Sequence, residues 1–286
     1  MIIWLASYPK SGNTYLRSLL SSYFLTQDGY FQLNSLKQIK QFPALGLFKK
    51  FGVDVSNDLE LIKNYLNVQQ RMNSQNKKAL RFLKTHSSLQ NINGHKFTDL
   101  NNSLGVIYVV RDPRSVVKSY ANHYQMSLDS ATEKLLKFST LTASTKHSNN
   151  IYERHITHVG SWASNYNSWK EFKKINSYLL IKYENLVLDT EKTFLEILNF
   201  IFKLSKLNIK IDNNKLKNTI ESTSFSKMQK LEKNLGFPEA IKDKDGKRIT
   251  FFKYGLENNN PNSFPENLNI KIKQNLKSEL KELGYF

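Results

Sequence analysis

Apolar residues follow two rhythms along this chain. Residues 2–7 (Ile-Ile-Trp-Leu-Ala-Ser) and 104–110 (Leu-Gly-Val-Ile-Tyr-Val-Val) are unbroken apolar runs, the pattern of parallel strands covered on both faces. Shorter runs predict strands over 80–84 and 177–181. Elsewhere apolar residues recur every three or four positions. Leu16, Leu19, Leu20 and Tyr23 predict a helix over 13–24, and Phe194, Ile197, Leu198 and Ile201 one over 190–202. The same period predicts helices over 155–172, 215–220, 225–231 and 267–283, with shorter pieces near 34–41, 58–73 and 128–139. Asp112-Pro113 opens another helix, with Asp as N-cap and Pro in the first turn. Residues 233–265, rich in Asn, Gly and Pro, read as loop. Strands alternating with helices predict an α/β fold: a central parallel sheet flanked by helices, in a single domain over 1–286.

Composition narrows the class. No run of apolar residues is long enough to span a membrane. Met1 to Ala6 lacks the basic leader of a signal peptide. The chain has no cysteine, which excludes disulfides, thiolate metal sites and Cys nucleophiles, and an intracellular, cytoplasmic location is the expectation. The unusual figure is the charge: 42 basic against 24 acidic residues, a net +18. Such a balance favours polyanionic partners. Much of it sits in blocks such as Lys170-Glu171-Phe172-Lys173-Lys174, which read as solvated helix faces. No RNA-binding, zinc-finger or helix-turn-helix signature is present, so nucleic acid is not expected as a partner.

Three short stretches carry candidate chemistry. The first strand, the turn Ser7-Tyr8-Pro9-Lys10-Ser11-Gly12-Asn13-Thr14 and the first helix form an anion cradle. The helix N-terminus offers unpaired N–H groups and a partial positive charge. Gly12 lets the backbone come close, Lys10 adds a cation, and Ser11, Asn13 and Thr14 add donors. Lys precedes Gly and the leading Gly is missing, so the loop departs from the nucleoside-triphosphatase pattern. In the second stretch Arg111 ends the 104–110 strand, and Ser119 follows about two helical turns, ~11 Å, later. A guanidinium fork and a hydroxyl there suit one phosphate beside the helix. The third stretch, Lys84-Thr85-His86, ends the 80–84 strand, where an imidazole can take a proton at neutral pH.

Together these stretches resemble the sulfotransferases that use 3′-phosphoadenosine 5′-phosphosulfate (PAPS). The resemblance spans nearly the whole chain and is specific around 3–20, 80–86, 104–120, 178–200 and 223–228. It implies a P-loop-like sulfotransferase fold and transfer of a sulfuryl group from PAPS to a hydroxyl or amine of a small-molecule or glycan acceptor, leaving adenosine 3′,5′-bisphosphate (PAP). It further implies His86 as general base, Lys10 stabilising the leaving phosphate, and Lys84 assisting. Lys10, Ser11, Gly12, Asn13 and Thr14 would bind the 5′ end, and Arg111 and Ser119 the 3′-phosphate. Tyr15, Tyr183, Thr223 and Phe225 match the family's adenine-side positions, with Tyr15 standing where a Trp is common. Lys253-Tyr254-Gly255 stands where many members have Arg-Lys-Gly, one cation instead of two, and Lys247 or Arg248 is a candidate to compensate. No metal is required by this chemistry. The family's C-terminal dimerisation segment is not recognisable, so no oligomeric state is carried over. Acceptor binding is expected from 26–78, 125–155 and 233–265, which lie outside the resemblance. A small-molecule kinase, using ATP and Mg²⁺, and a non-catalytic polyanion-binding protein are the alternative readings.

Overall fold

The structure, a computed structural model, describes residues 1–76, 79–146, 152–243, 245–253 and 263–286. In chain order the elements are β1 (Ile2–Ser7), α1 (Asn13–Leu25), α2 (Leu33–Leu36), α3 (Leu45–Lys50), α4 (Asp58–Lys63), α5 (Tyr65–Gln75), β2 (Arg81–Thr85), β3 (Asn91–Ile92), β4 (His95–Lys96) and β5 (Ser103–Val110). There follow α6 (Pro113–Tyr124), α7 (Leu128–Leu136), β6 (Ser139–Lys146), β7 (Tyr152–Gly160), α8 (Trp162–Trp169), β8 (Tyr178–Lys182), α9 (Tyr183–Leu188), α10 (Thr190–Ser205), α11 (Asn213–Ser222), α12 (Phe225–Leu235), α13 (Glu266–Asn275) and α14 (Lys277–Leu283).

Four parallel strands form the central sheet in the order β2-β1-β5-β8. Both faces are buried, which is why β1 and β5 are apolar throughout. Alternate residues divide the core. Ile2, Trp4, Ala6, Val106 and Tyr108 face a layer with Trp162 and Trp169 of α8 and Ile272 of α13. Ile3, Leu5, Ile107 and Val109 face the other layer, with Leu16, Leu19 and Leu20 of α1 and Phe194, Ile197 and Ile201 of α10. The architecture is the predicted one: a single α/β domain with helices on both faces of a parallel sheet.

The order of the strands places the site. After β1 the chain moves to one side to make β2, then crosses to the other side to make β5. The topological switch therefore lies between β1 and β5, and in open parallel sheets the crevice outside the strands' carboxyl ends at that point receives the ligand. The strand ends are level, with Ala6 paired to Thr85, Ser7 to Val109 and Val110 to Lys182. His86, Arg111 and Tyr183 are each the first residue past a strand, and Lys10 lies in the loop leaving β1.

Several predicted elements are corrected. Residues 155–172 are not one helix: β7 runs to Gly160, and only then does α8 begin. Ile156, Val159 and Ala163 stand at helical spacing, but buried Thr157 and Val159 alternate with half-buried Ile156 and His158 against the partner strand β6. Gly160, at φ 77°, ends the strand, and Ser161 caps α8 in a capping box with Ser164. The 128–139 helix stops at Leu136, because Ser139 begins β6. The 267–283 helix breaks at Leu276 into α13 and α14. The short helices α3 and α9 and the β3–β4 pair had no predicted counterpart. Among the described residues no helix is long and apolar enough to cross a membrane.

Candidate functional site

A cavity of about 500 Å³ opens at the switch point, and twelve of the predicted site residues line it: Lys10, Gly12, Asn13, Thr14, Tyr15, Lys84, His86, Arg111, Ser119, Tyr183, Phe225 and Lys253. Two of the others do not. Ser11 is fully buried beneath the loop, and its Oγ has no hydrogen-bond partner. Thr223 is fully buried at the end of α11, where its hydroxyl donates to the Thr219 carbonyl. Tyr254 and Gly255 lie outside the described residues. Lys247 and Arg248 do not line the cavity, and the Arg248 guanidinium packs against Gly236 instead.

The loop leaving β1 is held from below. Asn13 Nδ2 donates to the Leu5 carbonyl at 2.8 Å and to Ser7 Oγ at 3.2 Å, tying the start of α1 to the end of β1. Asn13 is therefore a brace for the loop, and its donor is already spent. Gly12 sits at φ 101°, and a Cβ there would lie 2.2 Å from Cδ2 of Tyr183. Backbone conformation and close approach thus both demand glycine. The Tyr183 ring also receives the Arg111 guanidinium, 4.2 Å from the ring centroid. One aromatic ring therefore touches both the loop after β1 and Arg111. Arg111 does not pair with its neighbour Asp112, which instead caps α6 and binds Arg114.

Lys253 reaches α6 from the far side of the cavity, donating to Asn122 Oδ1 at 2.9 Å, less than one turn beyond Ser119. Arg111, Ser119 and Lys253 thus line the cavity together with Lys10, Thr14 and Lys84.

His86 is half-buried. Its Nδ1 lies 2.9 Å from the Ser7 carbonyl. A carbonyl oxygen only accepts, so Nδ1 carries the proton and Nε2 keeps its lone pair. Asn165 Nδ2 donates to the His86 carbonyl at 2.9 Å and fixes the backbone. Burial, with Lys84 adding, pulls the imidazole down to about 3, well below the ordinary value assumed from sequence, and it is neutral at pH 7. Lys10 is pulled down to about 7, chiefly by burial, with Lys84 and Arg111 adding and Glu239 opposing. Its ammonium rests on the Phe251 ring, 4.1 Å from the centroid.

Sequence reasoning named no individual residue for the rest of the cavity wall and missed one charge. Gln41, His123, Tyr124, Leu141, Thr142 and Thr157 complete the cavity. His123 stands one turn beyond Ser119 on α6, so that spacing was available as a signal. Thr142 and Thr157 belong to the β6–β7 hairpin that the helical reading hid. Glu239 accepts from Thr14 Oγ1 at 2.6 Å, pairs with Arg17 and lies 3.4 Å from Lys84 Nζ. Burial opposes its charge, but Lys84 and Arg17 hold the carboxyl well below the usual range. No sequence signal points to this residue, which lies 225 positions from Thr14. Among the described residues no group of three or more His, Asp or Glu is placed to hold a metal ion.

Known proteins carry the same arrangement of elements. Mouse sulfotransferase SULT7A1, solved in complex with PAP, superposes with a TM-score of 0.59 at 19% identity, covering 98% of this chain and 84% of that one. Retinol dehydratase, solved with androsterone and PAP, gives 0.56 at 18% identity, covering 98% and 80%. At these identities the likeness concerns the fold. Luciferin sulfotransferase of Photinus pyralis is 26% identical over 233 residues, and sulfotransferase 1A1 of Bos taurus 24% identical over 234, each match covering 79% of this chain. The chain spans 56% and 65% of those relatives' lengths. Residues 2–284 match the family model described as the sulfotransferase domain, and the chain belongs to that family.

Proposed function

We propose that this chain transfers a sulfuryl group from PAPS to a hydroxyl or amine of a small-molecule or glycan acceptor. The observation that carries this reading is a single cavity at the strand ends lined by four cations, Lys10 from the loop after β1, Lys84 from β2, Arg111 from just past β5 and Lys253 beside α6. A nucleotide with anionic groups at both 5′ and 3′ positions fits that lining of charge. PAP in the solved relatives' structures supports the same donor, and the androsterone and retinol of the retinol dehydratase structures support a small-molecule acceptor.

In this reading His86 Nε2 takes the acceptor's proton as the oxygen or nitrogen attacks sulfur. Sulfuryl transfer resembles phosphoryl transfer, in which catalysis is mostly positioning and stabilisation of charge on the leaving oxygen. Lys10 supplies that charge, and Lys84, directly before Thr85 and His86, orients the 5′ end. Tyr15 and Phe225 offer ring faces to the adenine. Gln41, the α6 end and the β6–β7 hairpin form the acceptor wall, in line with binding regions inside 26–78 and 125–155.

Calorimetric titration with PAP, AMP and ATP, without Mg²⁺, tests the reading. PAP should bind at micromolar affinity or better, and AMP at least about tenfold more weakly, the equivalent of one lost charged contact. No preference for PAP over AMP would remove the 3′-phosphate site and with it the proposed donor. ATP preferred over PAP would favour a kinase.

Lys10 predicts a pH effect of definite sign. The protonated amine is the useful form, and its ligand-free value stands at about 7. kcat/KM, which reports free-enzyme ionisations, should therefore decline as pH rises through about 7. Lys10→Arg keeps its charge throughout and should lose this alkaline limb. An identical limb in the variant would assign the ionisation to another group.

A further inference from the structure

Among the described residues lining the cavity, Lys10, Lys84, Arg111 and Lys253 are cationic, and only Glu239 is anionic. That carboxylate is not at the rim. It takes the Thr14 hydroxyl and lies against Lys84, two of the groups that would hold the 5′ end of the nucleotide, and it pairs with Arg17 one turn further along α1. A second negative group cannot share those donors without like-charge repulsion in a site where screening by water is weak.

We propose that Glu239 is a built-in counter-ion: its carboxylate fills the 5′ end of the cradle in the ligand-free protein and is exchanged for the ligand's own anion. This rests on the reading that the loop after β1 receives the nucleotide's 5′ end.

The surroundings allow the exchange. Phe237 is rooted in a cluster with Phe251 and Phe252, at ring distances of 5.0 and 4.9 Å. Glu232 holds Phe251 and Phe252 in turn by accepting from their backbone N–H groups. Glu239 thus lies in the chain that leaves this anchored aromatic cluster, not within it. Arg17 keeps the Leu36 and Ile39 carbonyls as acceptors at 3.3 and 3.2 Å when the carboxylate leaves, so it is not stranded. Lys10, parked on the Phe251 ring and not on Glu239, is already placed to meet an incoming anion. Until then the carboxylate keeps the cationic pocket from holding unrelated anions, since any ligand must outcompete an internal one.

The test compares wild type with Glu239→Gln in two titrations. By calorimetry, the variant should bind PAP about tenfold more tightly, the scale of one relieved like-charge contact. With inorganic sulfate as the probe, followed by thermal unfolding, the variant's Tm should rise with sulfate concentration much more steeply than that of wild type. Unchanged or weaker PAP binding in Glu239→Gln, together with an unaltered sulfate response, would overturn the proposal and make Glu239 a structural brace. If neither protein prefers PAP to AMP, the nucleotide reading fails, and the sulfate titration alone judges the counter-ion. Should the variant not fold, hydrogen exchange on wild type decides. The Ala240 amide, bonded to the Phe237 carbonyl, should exchange faster once PAP is added, and no acceleration would overturn the proposal.

Discussion

His86→Ala should lower turnover by about 10²- to 10⁴-fold, the usual contribution of a positioned general base, while the Kd for PAP stays within about twofold of wild type. Nδ1 is committed to the Ser7 carbonyl, and Nε2 is the only basic atom the ring has left. The ligand-free imidazole is a weak base, held near 3 by burial and by Lys84. A bound polyanion beside Lys84 pushes that value upward, because a negative neighbour favours the protonated ring. On the proposed reading the base is strongest in the complex that needs it. His86 then sets the acid limb of the pH profile, activity being lost as pH falls through the imidazole's value, while Lys10 sets the alkaline limb. His86→Gln, which retains a polar side chain but no base, should be as inactive as the alanine variant. Near-normal turnover in either would assign proton removal elsewhere, with His123 as the next imidazole in the cavity.

Arg111→Ala should divide the nucleotides. Charge-assisted hydrogen bonds contribute about 1.5–3 kcal/mol, so PAP should lose about 10- to 100-fold in affinity. AMP, which lacks the 3′-phosphate, should change by less than about threefold, and kcat at saturating donor should fall less than the affinity. Arg111→Lys should land between the two, because it keeps the charge but loses the planar fork and its stacking on Tyr183. Equal losses for PAP and AMP would mean that Arg111 acts through the Tyr183 ring on the Gly12 loop, and not on the phosphate itself.

The sheet and the nucleotide side were legible because their causes are local. β1 and β5 are buried on both faces, so burial forces long apolar runs there. The residues past the strand ends are fixed by those strands, so once β1, β2 and β5 are found, Lys10, His86 and Arg111 must meet. The other half of the cavity was not legible in the same way. Along β6, Ser139 and Leu141 are half-buried and Thr140 and Thr142 exposed, the alternation of β7 is interrupted at Gly160, and Ile156 and Val159 mimic a helical stripe. Thr223 matched by type and position, yet its hydroxyl went to its own helix, as Ser and Thr hydroxyls do near helix ends. Glu239 arrives from a loop whose course is set by an aromatic cluster, and no period or spacing encodes such a meeting.

The hairpin has a further consequence. It hydrogen-bonds as its own two-stranded sheet, separate from the four strands that carry Lys10, His86 and Arg111. On the proposed reading, a change of a β6 side chain such as Thr142 reshapes the acceptor wall while leaving the strand ends of the central sheet in place, whereas β7 is tied to the end of β2 through the Ser88–His158 and Asn165 bonds. On that reading, acceptor preference can drift from one descendant to the next through β6 while donor recognition is inherited intact.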